Sequence, residues 1–509
     1  MRNQRILKNT LFLYARQILI IVVNLYALRI VLNNLGVDDY GIFTVVGGFV
    51  TLLAFLPGTM AAATQRFFAF ALGQKDQEKL NKTFSANWLL YALIALVILL
   101  TLETVGFWYV SEHLSIPHDR ITAAKTLYHF VVASFVLSVL SSPFMAIVIA
   151  HEDMHLYALI SIIEAILKLG AAVLLVYIPW DSLPLYGQLL LVIAALNTML
   201  YVVICLKKYA ECQFRKLYWD IALAREILGF TGWTLFGQVS TVCRSQAITI
   251  LLNQLFNPAT VAAHAIAMTV ASQVMVFAQN FNTGLYPSII KTYAADQKKE
   301  MLALISNGSK LTFFLMWVFA LPLLIEMDTI LRLWLKTPPD AAVVFTRLAI
   351  VEALILSISL PVATAARAPG KMKFYEISLG SIQLLIFAVS WLLLKNGSPA
   401  ETVYIVAIAA NVLMFKVRLL IVNKLVGLPL MPYYKQVVGP SIVVVLASSL
   451  PIVWLREWLP TGVFFTVLLM ACSVMLATVS MYYLGLDRFW REKSRQIIFS
   501  QLAKLRGAQ

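Results

Sequence analysis

Charge is scarce in this sequence. Only 13% of the 509 residues are charged, and 61% are hydrophobic, whereas a typical soluble domain carries roughly 25% charged residues. The mean hydropathy is +0.82. This composition excludes an ordinary soluble domain and predicts an all-α polytopic membrane protein.

The sequence also lacks the motifs of common catalytic and metal sites. Its four cysteines form no CxxC pair, which leaves no support for a zinc site, a thioredoxin-like site or a disulfide framework. No Walker A, GxSxG or metalloprotease pattern is present. HEDMH (151–155) places two histidines four residues apart without a third convincing ligand. We therefore predict no metal site and no cofactor. Because the loops are too short for a catalytic domain, the chain is predicted to be a transporter rather than an enzyme.

Long apolar runs dominate what remains. About fourteen are long enough to cross a bilayer, and we place them at 9–32, 41–66, 84–110, 126–150, 155–178, 185–206, 226–252, 259–289, 303–326, 341–366, 374–395, 402–423, 437–455 and 462–484.

The loops between these runs predict the orientation. With the N-terminus inside, 25 of the 40 lysines and arginines fall in cytoplasmic segments and only 6 in outer loops. Cytoplasmic loops of membrane proteins collect lysine and arginine. The sequence therefore predicts that both termini are cytoplasmic.

The two halves of the chain resemble each other weakly. VLNNLG (31–36) and GQKDQEKL (73–80) have counterparts in LLNQLF (251–256) and ADQKKEML (295–302). Such repeats are typical of transporters built from two related bundles. We expect two pseudo-symmetric six-helix bundles around a central cavity, followed by two additional helices. The predicted segments are an N-terminal bundle at 1–206, a cytoplasmic amphipathic linker at 207–225, a C-terminal bundle at 226–423, two further transmembrane helices at 424–484 and a cytoplasmic tail at 485–509.

One family resemblance is specific. RIVLNNLGVDDYGIF (29–43), followed by GTMAAATQRFFAFALGQKD (58–76), resembles the opening of the polysaccharide transporter family. These Wzx-like flippases carry O-antigen and capsule repeat units, and they belong to the MOP superfamily with the multidrug MATE exporters and lipid II flippases. Close resemblance covers only the first helices; beyond them it rests on the span count and the half-repeat.

The resemblance implies a function. The chain would move undecaprenyl-pyrophosphate-linked oligosaccharides by alternating access, from the cytoplasmic to the periplasmic leaflet of a bacterial inner membrane. A polysaccharide polymerase and glycosyltransferases are the partners it implies for lipopolysaccharide or capsule biosynthesis.

Ionisable residues inside the predicted spans agree with an anionic substrate. Such residues usually face a cavity, a partner or the headgroups. Cations exceed carboxylates there, although those near the span ends can instead extend to the headgroups. The cations within or at the ends of spans are Arg16, Arg29, Arg66, Lys168, Arg244, Lys310, Arg347, Lys416 and Arg418, and the carboxylates well inside spans are Glu103, Glu164 and Glu352.

Helical phase selects the candidates on the first span. At about 100° per residue, Arg16, Gln17 and Asn24 share one arc, whereas Arg29 falls nearly opposite Arg16. A polar arc in a membrane span is expected to face a cavity. We therefore predict that the first three contact the substrate and that Arg29 is an anchor at the outer edge.

Polar stripes mark the seventh and eighth spans. Gln238 and Gln279 lie on stripes of hydroxyl residues, and Arg244 lies beside the first stripe. Small hydroxyl residues also form ordinary helix-packing surfaces. A hydrated wall that binds sugar hydroxyls is the functional alternative for Gln238 and Gln279. Arg244 is a candidate phosphate contact.

Glu164 and Lys168 lie four residues apart, a spacing at which they can form an ion pair. The pair is either structural or a switch, in which Glu164 takes up H⁺ or Na⁺ and releases Lys168 to the substrate. Glu352 is the second ion-coupling candidate. A MATE-like cation-coupled drug exporter and a lipid II flippase remain the alternative functions; the exporter requires several converging carboxylates.

Overall fold

The computed structural model describes residues 2–51, 53–112, 117–214, 218, 220–335, 337–460, 462–487 and 491–492. In the first helix it describes side chains from Phe12 onward, except at positions 15, 25, 28, 32, 37, 38, 49 and 51. The predicted cytoplasmic tail therefore lies almost entirely outside the described residues.

Fourteen helices follow one another through the described part of the chain. They are α1 (Arg2–Thr51), α2 (Phe55–Gln74), α3 (Gln77–Glu112), α4 (Ile121–Ala150), α5 (Met154–Tyr177), α6 (Ser182–Lys208), α7 (Ile221–Leu255), α8 (Pro258–Ala294), α9 (Lys298–Leu335), α10 (Ala342–Arg367), α11 (Lys373–Lys395), α12 (Thr402–Val426), α13 (Leu430–Trp458) and α14 (Val463–Gly485). Among the described residues, twelve helical segments are long and apolar enough to cross a membrane. The other two helices are α2 and α7.

Two of the predicted span boundaries are wrong. The second predicted span, 41–66, is interrupted at Leu53–Ala54, where α1 ends and α2 begins. In addition, α1 continues well past position 32 and breaks at Gly36, which has a φ of 75°. Only glycine adopts this left-handed conformation without a steric cost, so the backbone can change direction there.

Polar caps set several helix ends. The side chain of Asp76 accepts a hydrogen bond from the backbone N–H of Lys79 at the start of α3. Asn257 caps α8 in the same way through Thr260, and Pro258 follows at the first helical position. The caps satisfy amide groups that have no partner inside the helix.

The chain divides into two compact units. The first contains residues 1–239, 283–298 and 370–376, and the second contains 240–282, 299–369 and 377–509. The predicted bundle boundaries at 206, 226 and 423 do not coincide with these limits and stay predictions. Of the predicted linker, residues 209–214 are non-helical and α7 already begins at Ile221.

Each unit has its own apolar core. In the first, Val46, Leu127 and Val139 are fully buried within one cluster. In the second, Leu252 and Phe345 are fully buried within another. Large apolar side chains on the outer helix faces stay exposed, as expected for a protein surrounded by lipid.

The segment that contains α13 and α14 makes three polar contacts with α9. Lys310 Nζ lies 3.0 Å from Asp487 Oδ2, and Trp317 Nε1 donates to Ser448 Oγ at 2.9 Å. Glu326 Oε2 accepts from Thr466 Oγ1 at 2.8 Å. The predicted pair of additional helices is thus part of the second compact unit.

A break in α9 is stabilised by an arginine. Pro322 lies inside this helix, and Glu326 has non-helical backbone angles. Arg347 of α10 donates hydrogen bonds to the freed carbonyl oxygens of Leu324 and Ile325, at 2.9 and 3.2 Å. Arg347 thus binds carbonyls within the protein and does not extend to the headgroups, because unpaired carbonyls inside a membrane protein are costly.

Candidate functional site

A polar cavity of about 330 Å³ lies within the first compact unit. It is enclosed mainly by α1, α4, α5 and α6. Its walls combine two cations, one carboxylate, two amides, two phenols and several serines, at Arg16, Lys168, Glu164, Asn24, Asn197, Tyr157, Tyr201, Ser138, Ser141, Ser142 and Ser161. We call it the first cavity.

Arg16 is held at the wall of the first cavity by α5. Its Cζ atom lies 4.7 Å from the centroid of the Tyr157 ring, and its Nη1 donates to Ser161 Oγ at 3.3 Å. Only 8% of the residue is exposed. A cation placed against an aromatic face in a desolvated setting is attracted by about 2 kcal/mol, so Arg16 is oriented before any ligand arrives.

Glu164 and Lys168 form the predicted pair. Lys168 Nζ donates to Glu164 Oε1 at 2.7 Å, and Asn197 of α6 donates to Glu164 Oε2 at 3.1 Å. The side chains of Glu164 and Lys168 keep exposed fractions of 32% and 43%. Because both remain open to the cavity, an anion can compete with Glu164 for the ammonium group.

The structure places only part of the predicted polar arc at the first cavity. Asn24 lines the first cavity with Arg16, and Arg29 is exposed. Gln17 is half-buried and does not line it. Gln238 and Gln279 line neither this cavity nor the one described next.

A second, much smaller cavity lies within the second compact unit. It has a volume of about 20 Å³, which is room for about one water molecule. Its polar lining consists of Arg244, Ser245, His264, Glu352 and Tyr404. Arg244 Nη1 donates to Glu352 Oε1 at 3.0 Å. We call this the second cavity.

Further hydrogen bonds complete its polar cluster. Asn411 Nδ2 donates to Glu352 Oε1 at 3.0 Å, and His264 Nδ1 lies 2.7 Å from the Tyr404 hydroxyl. The sequence singled out Arg244 and Glu352 separately but did not pair them, because they are 108 positions apart in the chain. His264 and Tyr404 were missed, since each is a single polar residue near a helix end.

Arg66 and Lys310 lie near span ends, but both are engaged within the protein and do not extend to the headgroups. Lys310 is 1% exposed and pairs with Asp487. Arg66 is 4% exposed, with Nη1 3.2 Å from Glu226 Oε1 and Cζ 4.7 Å from the centroid of the Phe67 ring. At Gly370, whose φ is +80°, an added Cβ would come within 2.5 Å of Arg66 Nη2. This glycine therefore makes room for the guanidinium.

Arg120 joins three segments of the first unit through hydrogen bonds to two aspartates. Its Nε donates to Asp39 Oδ1 and its Nη1 to Asp181 Oδ2, both at 2.9 Å. The hydrogen bonds to Asp181 and Asp39 raise the pKa of Arg120 further above its ordinary value. Because Asp39 follows Gly36 closely in the chain, this contact fastens α1 just after its break.

Comparisons with known proteins agree with this architecture. Residues 234–392 match the model of the MatE family. A solved outward-facing structure of a multidrug resistance MATE family transporter of the MOP superfamily is similar over 84% of this chain and 96% of its own, with 12% identity and a TM-score of 0.72. The chain has the MATE transporter fold. No curated protein sequence matches it.

Another similar structure is a MOP superfamily transporter from Pyrococcus furiosus, described as having a binding pocket of reverse polarity that suggests a different function. The match covers 84% of this chain and 96% of that one, at 13% identity and a TM-score of 0.66. The prediction of an all-α multi-pass membrane protein is confirmed, and the match over residues 234–392 agrees with the prediction of a transporter rather than an enzyme.

Proposed function

We propose that this protein is a flippase for undecaprenyl-pyrophosphate-linked oligosaccharides, in agreement with the resemblance of its opening motifs. The observation that carries the proposal is the charge of the first cavity, where Arg16 and Lys168 face a single carboxylate, Glu164. The lipid would remain in the bilayer while its charged head and sugars cross. The proposed location is a bacterial inner membrane, with both termini in the cytoplasm.

The charge balance separates this function from drug export. A cavity that binds organic cations needs an excess of carboxylates, because opposite charge stabilises the ligand in a low-dielectric site. The first cavity has the opposite excess. In the second cavity, the one carboxylate, Glu352, is already paired with Arg244. Neither cavity therefore offers a free carboxylate to a cationic drug.

The remaining lining suits a pyrophosphate that carries sugars. Guanidinium groups bind phosphate oxygens through paired N–H donors, and lysine adds a compact charge. The serine hydroxyls and the amides of Asn24 and Asn197 supply further donors and acceptors. A volume of about 330 Å³ lies within the usual range of ligand pockets, about 300–1,000 Å³.

Within this function, Arg16 and Lys168 are the proposed phosphate contacts and Asn24 a headgroup contact. Gln17, Gln238 and Gln279 stay proposed sugar contacts outside the two cavities. A polysaccharide polymerase and glycosyltransferases are the proposed partners. A lipid II flippase shares the pyrophosphate headgroup, so the first cavity supports both substrates alike.

Multidrug export is the second candidate, favoured by the MatE match over residues 234–392. The deciding experiment reconstitutes the purified protein in vesicles and follows three fluorescent probes. These are a polyprenyl-pyrophosphate oligosaccharide, the same polyprenol without pyrophosphate, and an organic cation. The proposal requires transfer of the first probe alone. Transport of the cation without transfer of the pyrophosphate lipid would overturn it in favour of the exporter.

A further inference from the structure

A polar patch lies on the surface formed by α3 and α4, and none of its residues lines either cavity. Glu103 and His129 form its centre, with Glu103 Oε2 2.7 Å from His129 Nδ1. Their side chains keep exposed fractions of 30% and 48%, although both helices are long and apolar enough to cross a membrane. Ionisable groups in such helices usually have a partner. We call Glu103, Phe107, Lys125 and His129 the α3–α4 patch.

An aromatic ring organises the nitrogen groups of the patch. The Phe107 ring stacks on the His129 ring, with 5.0 Å between the two centroids. Lys125 Nζ lies 5.7 Å from the centroid of the Phe107 ring, within the range of a cation–π contact. Lys125 and His129 are four residues apart on α4, so they share one face of that helix. The patch thus presents one carboxylate beside an ammonium group and an imidazole.

A π-helical turn at Leu102–Gly106 shapes the α3 side of the patch. The hydroxyl of Tyr128, on α4, donates a hydrogen bond to the carbonyl oxygen of Leu102, and a Cβ added at Gly106 would collide with that hydroxyl. Single π-helical turns inside α-helices frequently occur at functional sites. Here the turn and Tyr128 fix α3 against α4 at the point where Glu103 meets His129.

The patch lies at the depth of lipid headgroups. α3 has 36 residues and is about 54 Å long at 1.5 Å per residue, whereas a bilayer with its headgroups is about 40–45 Å thick. In the predicted topology, α3 ends and α4 begins at the outer side. Glu103 and His129 lie about 12–14 Å from those helix ends. The exposed Trp108 and Tyr109 agree with this depth, because tryptophan and tyrosine collect at membrane interfaces.

Each polar group of the patch has binding capacity left. Among the described residues, no hydrogen bond reaches Glu103 Oε1 or His129 Nε2. Within the same part of the chain, Lys125 forms no ion pair with a carboxylate, and its contact is the Phe107 ring. Leu100 and Val105 of α3 are 57% and 60% exposed and offer apolar surface to acyl chains. Both charges and an apolar surface are therefore available to one lipid.

We propose that the α3–α4 patch binds the headgroup of an aminophospholipid of the outer leaflet, one that ends in phosphoethanolamine. The ammonium group of the lipid pairs with Glu103 Oε1, and its phosphate pairs with Lys125 Nζ and His129 Nε2. Carboxylates and phosphates both form strong hydrogen bonds with charged donors. A zwitterionic head matches both signs of the patch, whereas a purely anionic head is repelled by the carboxylate. This inference does not rest on the proposed function.

The test is native mass spectrometry of the purified protein, titrated with three lipids that have identical acyl chains. They are phosphatidylethanolamine, phosphatidylcholine, whose methylated ammonium group donates no hydrogen bond, and the anionic phosphatidylglycerol. For a charged hydrogen bond at a partly exposed site, we expect phosphatidylethanolamine to bind roughly 3- to 10-fold more tightly than either of the others. Equal binding of phosphatidylethanolamine and phosphatidylcholine by wild type overturns the proposal.

Two variants separate the contacts. Glu103→Gln removes the carboxylate and is expected to abolish the preference for phosphatidylethanolamine over phosphatidylcholine. Lys125→Met is expected to weaken binding of both lipids alike, because both contain a phosphate, and to leave the preference intact. The matched controls are Glu112→Gln, at the end of the same helix, and Lys395→Met, which removes an ammonium group 5.0 Å from the centroid of the Trp391 ring. Both controls should bind the lipids as wild type does.

The variants also distinguish the other possible occupants. A preference that survives in Glu103→Gln overturns the site, since the lipid then binds elsewhere and the patch serves another partner. Phosphatidylglycerol as the tightest ligand of wild type would make the patch an anion site and overturn the zwitterionic assignment. The melting temperature without added lipid shows whether each variant is folded. If Glu103→Gln is not, Glu103→Asp, which withdraws the carboxylate by one methylene, should reduce the preference, and an unchanged preference in it overturns the site.

Discussion

The Cζ atom of Arg16 lies 4.7 Å from the centroid of the Tyr157 ring, so an aromatic face on α5 holds a cation of α1 at the wall of the first cavity. Tyr157→Leu removes that face, whereas Tyr157→Phe keeps it. A cation–π contact contributes about 0.5–2 kcal/mol, and about 1.4 kcal/mol corresponds to a tenfold change in affinity. We expect Tyr157→Leu to weaken binding of a fluorescent polyprenyl pyrophosphate roughly 2- to 30-fold and Tyr157→Phe to change it less than about twofold. Equal losses in both variants would show that the ring does not position Arg16.

The pair of Glu164 and Lys168 predicts variants with opposite effects. Glu164→Gln removes the charge that competes with an anion for Lys168, so the pyrophosphate lipid should bind more tightly. Lys168→Met removes a charged donor worth about 1.5–3 kcal/mol and should weaken binding about 10-fold or more. Titration of the purified variants with the fluorescent lipid measures both. If both variants lose affinity to the same extent, the pair is structural.

Lys310 and Asp487 test how the last two helices are attached. Asp487→Asn leaves the ammonium group of Lys310, 1% exposed, without its carboxylate, and an unpaired buried polar group costs about 1–3 kcal/mol. We expect a lower melting temperature for Asp487→Asn and recovery in the double variant with Lys310→Met, because an apolar side chain of similar size needs no partner. Thermal unfolding followed by tryptophan fluorescence measures the change. A wild-type melting temperature for Asp487→Asn contradicts this account.

The contact between Glu211, in the loop after α6, and His151 predicts that the folded state loses stability at low pH. Burial alone would raise the pKa of Glu211, but the hydrogen bond and charge of His151 outweigh it and lower this pKa below 4.5; the two side chains lie 2.6 Å apart. The folded state therefore holds its proton less tightly than the unfolded state. The stabilisation is complete above pH 4.5 and is lost as the pH falls through the lower pKa of the folded state.

The measurement is the melting temperature as a function of pH. Wild type should lose more stability between pH 6 and pH 3 than Glu211→Gln, which has no carboxyl to titrate at that position. Glu401→Gln is the control and should follow wild type. Parallel curves for wild type and Glu211→Gln would exclude a contribution from this pair.

Apolar runs in the sequence predicted most of the helices of the fold. Twelve of the fourteen predicted spans correspond to described helices that are long and apolar enough to cross a membrane. Spans can be predicted from sequence because a helix in lipid must satisfy its backbone hydrogen bonds within its own segment. The interruption at Leu53–Ala54 was missed, since no charged residue separates the two helices between positions 41 and 65. The helix is interrupted at Gly36 because this residue has a non-helical backbone conformation. A hydropathy pattern does not reveal such a change.

The site was predictable where it depends on one helix. Helical phase related Arg16 to Asn24, and the spacing of four related Glu164 to Lys168; all four line the first cavity. Partners on other helices were not predictable. Glu164 also accepts from Asn197, 33 residues away, because the packing of α5 on α6 decides that contact and periodicity does not.

The position of a cation along a predicted span did not identify its binding partner. Arg66, Lys310 and Arg347 lie near span ends, and a long side chain there can reach the headgroups. Each is instead engaged within the protein, with Glu226, Asp487 and the carbonyls of α9. Position along a span thus limits where a charge lies, but the carboxylates and carbonyls of neighbouring helices decide what it binds.

The central claim is that a cation in the first cavity holds the anionic head of a lipid-linked oligosaccharide. It is tested most directly by transfer of fluorescent undecaprenyl-pyrophosphate oligosaccharide in vesicles containing wild type, Arg16→Ala or Arg29→Ala. Arg29 is exposed on the same helix and provides a matched control. Loss of about 1.5–3 kcal/mol from a charged hydrogen bond predicts at least about 10-fold slower transfer for Arg16→Ala and near wild-type transfer for Arg29→Ala. Wild-type transfer by Arg16→Ala would contradict the account.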